Sequence, residues 1–193
     1  MASLSQHIIN RQVALGLAKI QIVKILGSVI KPTGTAENIE FDNINHNHCA
    51  EVISKWRTPH YRQGITLNWH KKITKHREKI DVSIHCNGFL CALMLAQYSR
   101  NKINVNIRFL EGCPHVAENP LLGNIIPIAL IIAEQFAVAY QAVQVTISNP
   151  EKGLISIYRK YGYDLISQDR DRERRKRPIR GKLLIKRILN RNE

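Results

Sequence analysis

The sequence predicts an α/β chain of the α+β type, and three observations carry that expectation. In "KIDVSIHC" the apolar residues Ile80, Val82 and Ile84 alternate with polar ones, Asn87-Gly88 marks a two-residue turn into "FLCALMLAQY", and Ile103, Val105, Ile107 and Phe109 alternate again. This is a three-strand antiparallel meander. Residues 124–140 are then apolar on all sides, as in a helix covered by a sheet and by a neighbour. Residues 4–30 read as a further helix at the N-terminus, with a narrow polar stripe through His7, Asn10, Gln21 and Lys24.

Taken in order, that first helix carries Ile8, Val13, Leu15, Ile20, Ile22, Val23, Leu26 and Val29 over most of its surface. So wide an apolar surface calls for burial, and a packed core helix is the expected account; membrane association and a dimer contact are the alternatives. Residues 31–48 are rich in turn formers and read as a loop or linker, which sets the expected division into an N-terminal helix and linker (1–45) and a main domain (46–193). Two short helices are expected near 47–57 and 66–77, the second with a basic face. After the meander and the long helix, "AVQVTIS" reads as a buried strand, the segment from Asn149 to Lys160 as a short helix, and "YDLIS" as a strand. "QDRDRERRKRPIR" reads as an exposed charged loop before a last strand, "GKLLIKRIL".

Composition narrows the chemistry. The chain has 193 residues, and 29 Lys and Arg against 15 Asp and Glu give a formal charge of +14, which favours anionic partners. The four cysteines (Cys49, Cys86, Cys91, Cys113) form no CxxC pair and read as reduced thiols of a cytoplasmic protein. His46, His48 and Cys49 stand together in "HNHC", but no second cluster completes a tetrahedral set, so a polar loop is expected and no metal. The apolar run "IIPIALIIAEQFAVAY" contains Glu134 and falls short of the ~20 residues that cross a bilayer, so no transmembrane segment is expected.

One stretch is more specific. Ile157-Tyr158-Arg159-Lys160-Tyr161-Gly162-Tyr163 resembles the "FYEKLGF" pattern of the Gcn5-related N-acetyltransferase (GNAT) superfamily. "HCNGFLCALML" is similar to the central hairpin of that superfamily, and "IRFLEGCP" to the end of its fourth strand. The resemblance spans residues 80–187 and implies a central mixed, mostly antiparallel sheet flanked by helices, with the N-terminal helix as an addition. It also implies acetyl-CoA or another acyl-CoA as a partner. Tyr158 would then be the acid that protonates the departing thiolate and Glu111 the base that takes the proton of the amine. Backbone groups of Leu110, Glu111, Gly112 and Cys113 would line the pantetheine arm.

The superfamily's pyrophosphate loop, Q/R-x-x-G-x-G/A, is altered. This chain reads Leu122-Gly123-Asn124-Ile125-Ile126-Pro127, with Ile125 and Pro127 at the two small-residue positions and Gly123 displaced by two residues. With Asn124 as N-cap, the amides of Ile125, Ile126 and Ile128 are the remaining anion donors. Asn149 stands nine residues before Tyr158, out of register with the usual asparagine. Two functions follow. The first is an acyl-CoA-dependent N-acyltransferase, in the first instance an acetyltransferase, acting on an amine of a protein, nucleic-acid-linked or small-molecule acceptor, with Arg174, Arg175 and Arg177 on the acceptor side. The second is a GNAT-like module without catalysis, which engages nucleic acid or an acidic protein through its basic surface and a dimer or partner through its N-terminal helix.

Overall fold

Asn87 and Gly88 have positive φ (54° and 74°), as a tight hairpin turn needs, and they join two long neighbouring strands of the sheet. The computed structural model describes residues 4–27, 29–30, 34–57, 67–75, 79–99, 103–115 and 118–188. Seven strands form one sheet: β1 (Ile39–Asp42), β2 (Lys79–Cys86), β3 (Phe89–Tyr98), β4 (Asn104–Gly112), β5 (Gln144–Ser148), β6 (Asp164–Leu165) and β7 (Leu183–Arg187). Their spatial order is β1-β2-β3-β4-β5-β7-β6. Every pairing is antiparallel except β4 with β5, which runs parallel. A parallel pair needs a crossover, and helix α4 (Ile125–Ala139) supplies it. Residues 29–30 and 34–35 form a separate two-strand ribbon.

Helix α1 (Leu4–Leu26) and α4 cover one face of the sheet, and Ala14, Ala18 and Ile22 share a single core with α4 and with Ile80, Val82, Met94 and Val105. On the other face α2 (His46–Glu51), continued by a wider π-type turn (Val52–Trp56), packs with α3 (Trp69–Lys75) over Leu90, Leu93, Leu95 and Cys113. Helix α5 (Ile155–Lys160) and α6 (Ser167–Arg174) follow β5 and β6. Gly162, at φ 83°, closes α5, and the amides of Tyr161 and Tyr163 return to the Tyr158 carbonyl.

The meander and the long crossover helix stand as expected, and the mixed, mostly antiparallel sheet flanked by helices is the one the sequence implies. Four local readings change. Residues 39–42, expected within a linker, pair with β2 as an edge strand, because Ile39 buries completely against the core. "HNHC" is the first turn of α2 and no loop: the Asn45 side chain accepts the His48 amide (3.0 Å) while His48 Nδ1 accepts the Asn45 amide (3.3 Å). Residues 168–174 are helical where a charged loop is expected, and the buried Asp169 carboxylate ties the return path by accepting the amides of Arg180 and Gly181, each at 2.9 Å. Finally, α1 buries only a narrow stripe. Ile8, Ile9, Val13, Leu17, Ile20, Val23 and Ile25 stay exposed, so it is no fully packed core helix. The expected helix residues 28–30 and 66 and 76–77 and the turn residues 100–102 fall wholly or partly outside the helices and turns seen; of these, 28, 66, 76–77 and 100–102 lie outside the described residues. No described helix is long and apolar enough to cross a membrane.

Candidate active site

Strand β4 sets the site, and its register decides where each side chain points. Leu95 pairs with Phe109 while Ala96 pairs with Ile107, so Arg108 is an extra residue, a β-bulge. The bulge switches faces. Val105 and Ile107 belong to the core under α4, whereas Phe109 packs with the α2–α3 cluster. Simple alternation from Ile103 to Phe109, as the sequence suggests, holds only as far as Ile107. The pairing of β4 with β5 also ends there, at Ile107–Ile147.

The bulge turns Glu111 toward the α2–α3 face, where it is buried. Trp69 Nε1–H donates to its Oε2 at 2.6 Å, and Arg57 Nη2 donates to the same oxygen at 3.0 Å. Arg57 leaves the end of the π-type turn and Trp69 opens α3, so the carboxylate pins both helical segments to β4. Both partners escape sequence reasoning, since nothing in "SKWRTP" or "TLNWHKK" pairs with a residue some forty or fifty positions away. Beside this cluster a cavity of about 170 Å³ is lined by Cys49, Val52, Ile53, Arg57, Asn68, Trp69 and His70.

The tip of β4 is packed differently. A Cβ on Gly112 would fall 2.6 Å from Ile125 Cδ1, so only glycine lets the first turn of α4 lie this close. Cys113 follows, buried, its amide bonded to the Cys91 carbonyl at 2.8 Å. Buried Asn119, also unforeseen, stitches the connecting loop in place: its Nδ2 donates to Cys113 O (3.2 Å) and its Oδ1 accepts the Leu121 amide (3.0 Å). Gly123, at φ 81°, turns the chain into α4, whose N-cap is Asn124 without a side-chain capping bond. The Ile128 amide donates to the Asn124 carbonyl at 3.0 Å. It is therefore spent in the helix. With no N–H on Pro127, the first-turn donors are Ile125 and Ile126.

Tyr158 sits in α5, buried in the core on the α4 side, and burial, with a smaller push from Glu151, raises its hydroxyl above the ordinary tyrosine range. Asn149 follows β5 at φ 48° and its amide is bonded to Lys182 O at 2.8 Å. Arg174, Arg175 and Arg177 are exposed at and beyond the end of α6, and Arg174 pairs with Asp171 at 3.1 Å. The structure thus brings Gly112 and Ile125 together, while Glu111 and Tyr158 belong to different packing clusters. The cysteines are buried, and burial pushes the Cys91 thiol up to about 12, which leaves it a packing group.

An antiparallel meander, a parallel β4–β5 pair that parts after four residues, and a crossover helix whose first turn lies against the far end of β4 define a known architecture. N-acetylglutamate synthase from Neisseria gonorrhoeae, solved with coenzyme A and N-acetyl-glutamate, superposes with a TM-score of 0.54 at 13% identity, over 79% of this chain and 35% of that one. The chain has the GNAT fold. PaiA N-acetyltransferase from Thermoplasma acidophilum, solved with coenzyme A, superposes at 0.52 with 12% identity, over 77% of this chain and 98% of that one. Aminoglycoside 6'-N-acetyltransferase from Enterococcus faecium gives 0.51 and 11%, over 80% and 99%. The chain spans about a third of the synthase and nearly the whole of the other two GNAT proteins. No family model matches the sequence, and no curated protein does.

Proposed function

We propose that the chain is an acyl-CoA-dependent N-acyltransferase, with acetyl-CoA as the first donor to test, acting on an amine. The observation that carries this reading is the parting of β4 from β5 after Ile107, with Gly112 farther along β4 meeting the first turn of α4. A parted strand offers a run of backbone to an extended arm, and a helix start offers amides to a pyrophosphate. We assign the backbone of Leu110–Cys113 to the pantetheine arm and the turn of Gly123, Asn124, Ile125 and Ile126 to the pyrophosphate, with Asn149 on the far side. The Ile125 side chain lies over Gly112 and has to rotate aside for an arm to pass between them.

Tyr158 keeps its proton at neutral pH and can give it to a departing thiolate. Glu111 is assigned to the proton of the amine, directly or through water. Arg57 and Trp69 hold it rigid by its Oε2, so the transfer uses the rest of its lone pairs. The acceptor amine approaches through the cavity beside Arg57 and Trp69. The exposed Arg174, Arg175 and Arg177 suit an acceptor that carries negative charge, nucleic-acid-linked or acidic protein.

A second reading rests on the contact between Ile125 and Gly112 together with Pro127. Both close the cofactor side, as suits a GNAT-fold module that binds nucleic acid or an acidic partner without catalysis. Calorimetric titration with acetyl-CoA, on the chain and on Tyr158→Phe, separates the two. The enzyme reading expects micromolar binding in both proteins and acetyl transfer reduced ~100-fold in the variant. Folded protein that binds no acetyl-CoA would sink that reading and leave the second.

A further inference from the structure

We propose that α1 is a self-association helix, which joins two copies of the chain antiparallel about a two-fold axis at Gly16. Along its outward side Ile9, Val13, Gly16, Ile20 and Val23 recur in steps of four, three, four and three, the seam of a helix that packs along another helix. The four aliphatic members are 51%, 48%, 66% and 41% exposed. The opposite side is already occupied: Ala14, Ala18 and Ile22 bury against the α4 side, Tyr140 hydrogen-bonds His7, and Arg11 reaches the Asp42 carbonyl at 3.2 Å. The seam therefore has no further part in the described fold.

Three features select a second copy as the occupant. The seam is nearly symmetric about Gly16, with Val13 and Ile20 close on either side and Ile9 and Val23 further out. A two-fold operation through Gly16 thus sets Val13 against Ile20 and Ile9 against Val23 of the second copy, an isologous contact. Gly16 has no atom within 4 Å of where its Cβ would stand, so two backbones can approach there. Charge sets the direction. Lys19 and Lys24 flank the seam and α1 has no acidic residue, so a parallel pair would put these lysines side by side. The antiparallel pair separates them and brings Lys19 of each copy to the level of Gln12 of the other. This is the flank where Glu40 and Asp42 are exposed, beside Leu15, Gly16 and Lys19, around a shallow cavity. A 23-residue helix is about 34 Å long, and two of them packed lengthwise bury on the order of 1,000 Å² in total, the lower bound of a specific interface.

Size-exclusion chromatography with light scattering on the full chain at tens of micromolar should give twice the 22.1 kDa chain mass. Val13→Gln with Ile20→Gln, whose side chains point away from the core, should raise the dimer dissociation constant at least ~100-fold with the circular dichroism and melting of the monomer kept. Gly16→Cys should form a disulfide-linked dimer under mild oxidation and Lys24→Cys should not, because only at the axis do Cα atoms come within ~7 Å, and the native cysteines are buried. A monomeric wild type, or a dimer indifferent to the Gln pair, overturns the proposal. So does a monomer that sediments with phosphatidylserine vesicles through the same seam, which would make α1 an interfacial anchor.

Discussion

On one side of β4, Glu111 is buried among polar partners with fixed geometry, an indole N–H and a guanidinium on one oxygen. One residue further, at Gly112, the contact with α4 is an isoleucine methyl against a bare Cα. The first arrangement is directional and electrostatic; the second is steric and apolar. Adjacent residues of one strand thus tie it to two different layers by two different kinds of force. The lesson is that the side proposed for the acceptor is built around an ionic cluster, while the side proposed for the acyl donor rests on close packing at a glycine.

The contrast breaks most plainly at the ionic side. Glu111→Ala leaves the Arg57 guanidinium, only 16% exposed, without its carboxylate, and should cost about 3–5 kcal/mol of unfolding free energy. Urea denaturation measures it; a loss below about 1 kcal/mol would mean that the cluster is not the tie between α2–α3 and β4.

The steric side should respond less, and to shape alone. Gly112→Ala forces Ile125 to move and should cost about 1–3 kcal/mol. Because the clash is with Cδ1, which valine lacks, most of that cost should vanish in an Ile125→Val background, giving a coupling of about 1 kcal/mol. Strict additivity in the double-mutant cycle would show that the two residues do not constrain each other.

The smallest effect is invisible at neutral pH. Tyr140, Tyr158 and Tyr163 lie in the core on the α4 side, and burial raises all three phenols above the ordinary value of ~10. The unfolded chain gives up those protons at lower pH than the folded one. Their contribution is therefore complete below pH ~10 and is lost as pH rises through and beyond it. Melting temperature should stay level up to pH ~9 and then fall, with a shallower fall in Tyr158→Phe. An identical alkaline slope in that variant would exclude Tyr158 from the linkage.

What the sequence determined by itself is what depends on neighbours along the chain. The alternation of Ile80, Val82 and Ile84, the turn at Asn87-Gly88 and the uniformly apolar α4 are local patterns with local causes, and the "IYRKYGY" stretch with its Gly162 helix end is another. Together they were enough to place the sheet, the crossover helix and the GNAT resemblance. Tertiary structure alone decided the rest, because those features depend on register between distant segments. The bulge at Arg108 exists only in the pairing of β4 with β3, and it sends Phe109 and Glu111 to the face opposite Ile107. Arg57 and Trp69 become partners of Glu111 only once α2 and α3 cover that face, and the Ile128 amide is removed from the candidate anion site by the start of the helix. The outward seam of α1 was legible as apolar but not as exposed: a helical pattern shows which residues share a side, and only the packed neighbours show which side is covered.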